Sequence, residues 1–282
     1  MIHIITDTTS GLPGEISQRY HIPIIPQIIN FGEKSYYEKV ELDNPTFMKM
    51  LRASKELPKT AAPPPELFVQ EFSKLVPAGG TIFCIHPSAE VSGTVRSAMM
   101  AAQEFPEADI RVIDTRSVGS PLSTLVQLAA EWADQGEDAN TIERKLNQMI
   151  PRNRIYFLVD TLEYLAKGGR IGGATALLGS VLKIKPILAL VDGRVDQFEK
   201  ERTQKNAIKR LLELVKTQAA RDGEAYISIM HAAVPELADD FSQLLCSEFS
   251  LKSIPILDVP PAIVVHGGPG ILAAAFFTGE SK

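Results

Sequence analysis

Three short β-branched runs in the first half of this 282-residue chain each end in a polar loop, and a helical pattern follows each loop. The runs end at Ile5, Ile85 and Ile113, and the loops cover 6–11, 86–93 and 114–117. Strands that alternate with helices in this way favour an α/β fold with a mostly parallel sheet. Because the carboxyl ends of parallel strands lie at one edge of a sheet, the three loops are expected to converge there.

The sequence pattern changes near Pro151, and the second half is not predicted to be purely parallel. The segments 185–191 and 194–198 flank Asp192-Gly193, which is typical of a β-hairpin. Apolar runs predict a helix over 174–182, a strand over 262–265 and a helix over 271–277. We therefore expect two α/β domains, 1–150 with the parallel sheet and flanking helices, and 151–282 with a mixed sheet and helices.

Composition excludes several classes of protein. The formal net charge of -5 gives no electrostatic reason to expect nucleic acid as a partner. The longest apolar stretches, 174–191 and 260–277, are interrupted by lysine, histidine or proline, so we expect no stable membrane insertion. No secretory signal is evident, and Cys84 and Cys246 stand alone, which is typical of buried thiols in a reducing compartment. We therefore expect a cytoplasmic protein, without a metal site or cofactor.

The segment 84–94, Cys-Ile-His-Pro-Ser-Ala-Glu-Val-Ser-Gly-Thr, spans a strand end, a loop and a helix start. Its hydroxyl groups lie beside the free amides at the predicted start of a helix, where a negatively charged group is favoured. The simpler interpretation is that Ser92 caps the helix. From these residues alone both interpretations remain open.

A second glycine-rich turn covers 167–173, with the sequence Lys-Gly-Gly-Arg-Ile-Gly-Gly. A phosphate-binding loop needs a Gly-Lys-Ser or Gly-Lys-Thr ending, and a dinucleotide loop needs Gly-x-Gly-x-x-Gly directly after a strand. Neither pattern is present. Arg170 in this turn is either a solvated charge at a helix end or a contact for an anion or a partner protein.

His266 begins the loop His-Gly-Gly-Pro-Gly, and we predict that it lies where a strand ends. Its glycines would let a ligand approach the backbone, and its titration range suits a cationic partner for a carboxylate or a general base. Thr60 is expected in an extended segment, because three prolines follow at 63–65.

Two chemistries fit these residues. In the first, Ser92 is a nucleophile with His266 as its base, oriented by Asp7, Asp114 or Asp258, although no Gly-x-Ser-x-Gly elbow is present. In the second, Thr60, Ser92 and His266 form a cradle for an anionic head group, and apolar side chains line a pocket. A buried carboxylate is costly unless it is paired in this way.

Several motifs, in this order and spacing, resemble the DegV family, the fatty-acid-binding subunits of bacterial fatty acid kinase. The resemblance covers nearly the whole chain. The motifs are Ile-Ile-Thr-Asp-Thr-Thr-Ser-Gly-Leu-Pro at 4–13, Lys-Thr-Ala-Ala-Pro at 59–63, the segment 88–98, Asp-Thr-Arg-Ser at 114–117, Leu-Glu-Tyr-Leu-Ala-Lys-Gly-Gly-Arg-Ile at 162–171 and His-Gly-Gly-Pro-Gly at 266–270.

The resemblance implies a carrier without catalysis of its own, which binds a long-chain fatty acid such as palmitate, stearate or oleate between two α/β domains. It implies that Thr60, Ser92 and His266 hold the carboxylate. Gly93, Thr94 and Gly267 are further candidates for the ligand site.

The resemblance also implies that a separate kinase subunit converts the bound acid to an acyl phosphate, which connects the protein to lipid transport and phospholipid metabolism. Arg170 and Arg202 match positions at the pocket mouth or facing the kinase. The chain departs from the family at Ala61 and Ala62, usually Ser-Gln, and at Gly11, usually Asp.

Two alternatives are kept beside the carrier. One is an acyl hydrolase or transferase that uses Ser92 and His266. The other is a subunit like that of dihydroxyacetone kinase, which would hold a small ketone covalently on His266.

Overall fold

The computed structural model describes residues 1–177, 184–221 and 223–279. The chain divides into two compact units. The first comprises Met1–Pro151 together with Pro260–Ala262, and the second comprises Arg152–Val259 and Ile263–Lys282.

The first unit is built on a parallel four-stranded sheet in the order β2-β1-β6-β7. Ile5 pairs with Cys84 on the neighbouring strand, and His86 pairs with Asp114 on the next, so the strands run in register to a common end. The strands are β1 Ile2–Asp7, β2 Ile24–Ile25, β6 Thr81–His86 and β7 Asp109–Asp114. The parallel sheet predicted for this half is confirmed.

Proline or aspartate begins several helices of this unit. Asp43 accepts a hydrogen bond from Thr46 N at 2.8 Å, and a proline follows at the start of the helix. The helices are α1 Gly14–Arg19, α2 Asn44–Ala53, α3 Pro65–Leu75, α4 Thr94–Ala102, α5 Ser120–Asp134 and α6 Ala139–Met149. Phe68 and Phe72 of α3 are fully buried with Ile82 and Cys84 of the sheet.

A small antiparallel sheet in the order β4-β3-β5 completes the first unit. Its strands are β3 Ile28–Phe31, β4 Lys34–Tyr37 and β5 Lys59–Ala61. The extended segment 24–31 is interrupted at Pro26 and Gln27 and contributes to two sheets. Proline has no amide hydrogen for a ladder, which accounts for the break.

The second unit has a mixed six-stranded sheet in the order β10-β9-β8-β13-β11-β12, as predicted. Its strands are β8 Asn153–Leu158, β9 Lys185–Val191, β10 Arg194–Glu201, β11 Ser228–His231, β12 Ile256–Asp258 and β13 Leu272–Phe277, and its helices are α7 Glu163–Lys167, α8 Gln204–Gln218 and α9 Pro235–Phe249. Buried side chains of α8 and α9, among them Leu211 and Phe241, pack on this sheet.

Two predictions near the C-terminus are wrong. The segment 262–265 belongs to a helix, α10 Pro261–Gly267, and the segment 271–277 contains the strand β13 in the interior of the sheet. Pro261 occupies the first helical position, where proline is favoured. β13 is buried along its whole length, so its apolar run does not alternate and resembles a buried helix.

The helix predicted over 174–182 is also wrong where the structure describes it, because Gly172–Leu177 forms a 3-10 helix. Residues 178–183 lie outside the described residues. Cys84 is buried as expected, whereas Cys246 is only half-buried. Within the described ranges, no helix has both the length and the apolar character needed to cross a membrane.

Candidate functional site

The polar loops of the first unit converge at the carboxyl ends of its parallel strands, as the sequence predicts. Asp7, His86 and Asp114 are the last residues of β1, β6 and β7. Asp7 and His86 are fully buried. Polar groups are costly to bury unless they are hydrogen-bonded, so their partners matter.

The Asp7 carboxylate is the centre of this buried cluster. Its Oδ2 atom lies 2.9 Å from Nδ1 of His86. Its Oδ1 atom accepts hydrogen bonds from Thr9 N at 2.9 Å, Thr9 Oγ1 at 2.6 Å and Gln27 Nε2 at 3.0 Å. The buried charge is therefore well supplied with donors.

The cluster continues from Gln27 to Ser92. Gln27 Nε2 donates to Thr94 Oγ1 at 2.9 Å, and Thr94 Oγ1 lies 2.8 Å from Ser92 Oγ. Gln27 and Thr94 are buried, and Ser92 is half-buried. Gly93 is the N-cap of α4, and Ser92 Oγ accepts a hydrogen bond at 3.3 Å from the amide of Thr94, the first residue of that helix.

The strand that carries Thr60 lies beside this loop. Thr60 is half-buried on β5 and pairs with Ile29. A Cβ atom placed on Gly93 would lie 3.3 Å from the Ala62 side chain, just beyond the end of β5. Two of the three predicted carboxylate contacts, Thr60 and Ser92, therefore belong to neighbouring segments of one unit.

Glu38 is a second buried carboxyl group of the first unit. Its side chain accepts hydrogen bonds from Thr8 Oγ1 and, at 3.0 Å, from the backbone amide of Ala262 in the first turn of α10. Burial raises the pKa of Glu38 to about 7, although both hydrogen bonds lower it and the nearby Asp7 charge raises it further.

In the second unit, the two glycine-rich loops pack against each other. A Cβ atom on Gly168 would overlap with Nδ1 of His266, and one on Gly268 would lie 2.5 Å from Cδ2 of Tyr164. Gly268 also has a φ of +78°, which favours glycine. The glycines at these two positions let the His266 imidazole and the Tyr164 ring lie directly on the backbone.

His266 is held in a neutral form by its surroundings. Burial lowers its pKa to about 4, the positive charge of Arg170 lowers it too, and a hydrogen bond with the Gly168 backbone raises it. In the absence of a bound anion the imidazole is therefore favoured in its uncharged form at neutral pH. Nearby, Arg170 Nη1 donates to the Gly168 carbonyl at 2.8 Å.

Other candidates occupy different positions in the second unit. Arg202 is exposed between the end of β10 and Thr203, the N-cap of α8. Gly267 is the buried last residue of α10, where a Cβ atom would lie 2.6 Å from Cδ1 of Ile271. His266 precedes it, so His266 lies in the last turn of a helix and not at a strand end.

The carboxylates considered for orienting His266 have other partners. Asp7 bonds to His86, and Asp258 lies 3.7 Å from His231. Asp114 accepts from the backbone amides of Ala89 and Arg116 at 3.3 and 2.9 Å. These contacts do not favour an acyl-transfer triad.

Sequence reasoning missed Gln27, Glu38 and the role of His86. Gln27 is a polar residue inside the apolar run Ile-Ile-Pro-Gln-Ile-Ile at 24–29, which is the one local signal that indicated it. Glu38 and His86 carry no such signal. Their burial depends on contacts with segments distant in sequence.

Comparisons with known proteins agree with the architecture. A family model described as "Uncharacterised protein, DegV family" matches residues 1–279. A DegV domain-containing protein of Streptomyces coelicolor is 34% identical over 273 residues, 96% of each chain.

Two solved structures cover 99% of this chain and of their own, each with a TM-score of 0.91. One is a DegV family protein from Thermus thermophilus described by its fatty acid binding, at 28% identity, and the other is a fatty acid binding DegV family protein from Streptococcus agalactiae, at 30% identity. The motifs, the fold and the family match together show that this chain belongs to the DegV family.

Proposed function

We propose that this chain binds a long-chain fatty acid such as palmitate, stearate or oleate, and that Thr60, Ser92 and His266 hold its carboxylate. The observation that carries the proposal is the likeness, over 99% of the chain, to two solved proteins described as binding fatty acids. Hydroxyl groups and a neutral imidazole supply the hydrogen-bond donors that a buried carboxylate requires.

Three further residues support the head group in this proposal. Thr94 contacts Ser92, while Gly93 and Gly267 adjoin Ser92 and His266 along the chain. No catalytic residue, metal or cofactor is assigned, because the residues hold the ligand and do not react with it.

The hydrocarbon tail dominates the binding free energy in this proposal. Burial of about fourteen methylene groups at ~0.8 kcal/mol each contributes roughly 11 kcal/mol before the costs of ordering. A hydrogen bond to the charged head group contributes about 1.5–3 kcal/mol. The tail therefore sets the affinity, and the polar residues set the orientation of the head group.

A Ser92→Ala variant is expected to bind palmitate about 10- to 100-fold more weakly, because it loses one hydrogen bond to the carboxylate and keeps the contacts of the tail. Competition binding measured by native mass spectrometry checks this. Ser17→Ala is a matched control, because its hydroxyl bonds to Gly14 O on an exposed helix. Complete loss of binding in Ser92→Ala would contradict this division between head and tail.

We further propose that a separate kinase subunit phosphorylates the bound carboxylate. Arg170 and Arg202 are the candidate contacts for that subunit or for the pocket mouth. Arg170 lies beside His266 and affects its pKa, and Arg202 is exposed. An arginine in either place would suit a transferring phosphoryl group or an acidic surface of the partner.

An Arg170→Ala variant is expected to co-purify with a normal amount of fatty acid and to support less acyl phosphate formation when a fatty acid kinase subunit and ATP are added. Arg52→Ala, in the last turn of α2, is the control for removal of a positive charge. Unchanged acyl phosphate formation in Arg170→Ala would rule out a role for Arg170 in the kinase step.

The alternative function is an acyl hydrolase or transferase that uses Ser92 and His266. A pKa of about 4 makes His266 a weak general base at neutral pH. Native mass spectrometry of freshly purified protein separates the two functions. A non-covalently held C14 to C18 acid supports the carrier, an empty protein that cleaves short acyl esters supports the hydrolase, and a covalent adduct on His266 supports the ketone-binding alternative.

A further inference from the structure

We infer that Gln27 and Thr94 are positioning residues that fix the direction of the hydrogen bonds reaching Ser92, so that the Ser92 hydroxyl donates to the ligand. The inference rests on the proposed function, because it assigns the chemistry by which Ser92 selects a head group. It concerns a buried chain of hydrogen bonds through Asp7, Gln27, Thr94 and Ser92, which we call the Asp7–Ser92 chain.

Asp7 determines which groups donate and which accept along the Asp7–Ser92 chain. The backbone N–H of Thr9 can only donate, and it donates to Asp7 Oδ1 at 2.9 Å. The same oxygen lies 3.0 Å from the Gln27 amide. If the amide were flipped, two oxygen acceptors would face each other at that distance, so the Gln27 nitrogen must face Asp7.

The direction passes from Gln27 to Thr94. The Gln27 Nε2 group has two hydrogens, and it lies within hydrogen-bond distance of Asp7 Oδ1 and, at 2.9 Å, of Thr94 Oγ1. One hydrogen is directed to each oxygen. Thr94 Oγ1 therefore accepts from Gln27, and its own hydrogen can be donated to another acceptor.

Ser92 is the acceptor for that hydrogen. Thr94 Oγ1 lies 2.8 Å from Ser92 Oγ, and Thr94 N donates to the same Ser92 atom at 3.3 Å. With two hydrogens arriving from Thr94, the hydroxyl hydrogen of Ser92 points away from Thr94. Ser92 is half-buried, unlike the buried Gln27 and Thr94, so its hydrogen is the one that is directed outward.

A head group that only accepts hydrogen bonds fits this arrangement best. A carboxylate presents oxygen lone pairs alone, whereas a primary alcohol must also place a hydrogen of its own. A hydrogen bond that Ser92 donates to a charged carboxylate oxygen is also stronger than one that it donates to a neutral alcohol oxygen. We therefore expect palmitate to bind more tightly than 1-hexadecanol, a ligand of the same chain length, by about tenfold or more.

A Gln27→Glu variant is expected to reverse the donor and acceptor roles between Thr94 and Ser92 in the Asp7–Ser92 chain. The glutamate oxygen that takes the place of Gln27 Nε2 has at most one hydrogen, where the nitrogen has two. That hydrogen is donated to the Asp7 carboxylate, which is a stronger acceptor than the Thr94 hydroxyl. Whether the introduced carboxyl group is protonated or ionised, its oxygen then accepts from Thr94. Thr94 in turn accepts from Ser92, and the Ser92 lone pairs face the ligand.

The test measures the ratio of the affinities for palmitate and 1-hexadecanol by competition in native mass spectrometry. In Gln27→Glu the ratio is expected to fall about tenfold, while the affinity for 1-hexadecanol stays near that of the unmodified protein. Because two neighbouring carboxyl groups can impair folding, Thr94→Val provides a second variant. It removes the hydroxyl that donates to Ser92 and lowers the ratio, and Thr94→Ser restores it.

Thr6→Val is the control for loss of a buried hydroxyl. Thr6 Oγ1 donates to the Ile85 carbonyl at 2.9 Å and is as buried as Thr94, yet it lies outside the Asp7–Ser92 chain. Thr6→Val should lower the stability of the protein and leave the ratio of the affinities for palmitate and 1-hexadecanol unchanged. An unchanged ratio in both Thr94→Val and Gln27→Glu would overturn the inference while leaving fatty acid binding intact. An unmodified protein that binds neither ligand would overturn the proposed function instead.

Discussion

A Gly168→Ala variant is expected to displace the His266 imidazole. Gly168 has a φ of -77°, which alanine adopts without strain, so the effect is steric. The added methyl group would overlap with Nδ1 of His266. Overpacking of this kind costs about 1–3 kcal/mol of stability. The displaced ring becomes more exposed, and its pKa rises from about 4 toward the ordinary value for histidine.

The neighbouring glycine provides the control. Gly169 has a φ of +69°, and a Cβ atom there would meet nothing within 4 Å. Gly169→Ala should therefore cost about 1–2 kcal/mol through backbone strain and leave His266 in place. An NMR titration of the His266 ring distinguishes the two variants. If the His266 pKa stayed near 4 in Gly168→Ala, the described contact between the glycine and the imidazole would be incorrect.

The pH dependence of stability is the second large effect, and it depends on Glu38. Its pKa is raised to about 7 in the folded chain, so the folded state binds the proton more tightly than the unfolded state. The stabilisation is therefore complete below the ordinary pKa of about 4.5 and is lost as the pH rises through 7. Between about pH 5 and pH 8 the loss amounts to about 2–3 kcal/mol.

A Glu38→Gln variant keeps the size of the side chain and does not titrate. We measure the free energy of unfolding in urea for the variant and for the unmodified protein. The difference between the two should shift by about 2–3 kcal/mol in favour of the variant from about pH 5 to about pH 8. Glu41→Gln is the control, since the exposed Glu41 accepts a backbone hydrogen bond from Tyr37 at 2.8 Å. Parallel pH profiles for Glu38→Gln and the unmodified protein would show that Glu38 is ionised in the folded state throughout this range.

The parallel sheet and the edge where its loops meet could be predicted because local patterns specify them. Each β-branched run before a polar loop is a strand in the structure, and Asp7, His86 and Asp114 end the three strands. The hairpin around Asp192-Gly193 followed from turn chemistry in the same way. Each of these patterns lies within a short segment of the chain.

The C-terminal segments could not be assigned, because the signal there depends on burial. Ala273, Ala274 and Ala275 favour a helix locally, yet β13 pairs on both sides, with β8 and β11. Tertiary packing overrides the propensity of alanine at this place. α10 contains Val264 and Val265, which favour strands, but the proline that precedes them begins a helix.

The candidate residues that carry motifs could be proposed from the sequence, and the buried polar residues behind Ser92 could not. Thr60, Ser92 and His266 carry motif signals, whereas Gln27 and Glu38 become part of the cluster only through long-range hydrogen bonds. The partners of Gln27 lie 20 and 67 positions away, so its place as a polar residue within an apolar run does not reveal what it contacts. The polar support behind Ser92 is therefore a property of the fold.

The measurement that tests the central claim most directly is an NMR pH titration of palmitate labelled with ¹³C at the carboxyl carbon and bound to this protein. The claim is that donors around Ser92 hold an ionised carboxylate. The bound signal should be that of the ionised carboxylate at neutral pH, and Ser92→Ala should shift the signal and raise its titration midpoint, because the variant loses a hydrogen bond to the charged form. The absence of a bound signal, or a bound signal that Ser92→Ala leaves unchanged, would contradict the account.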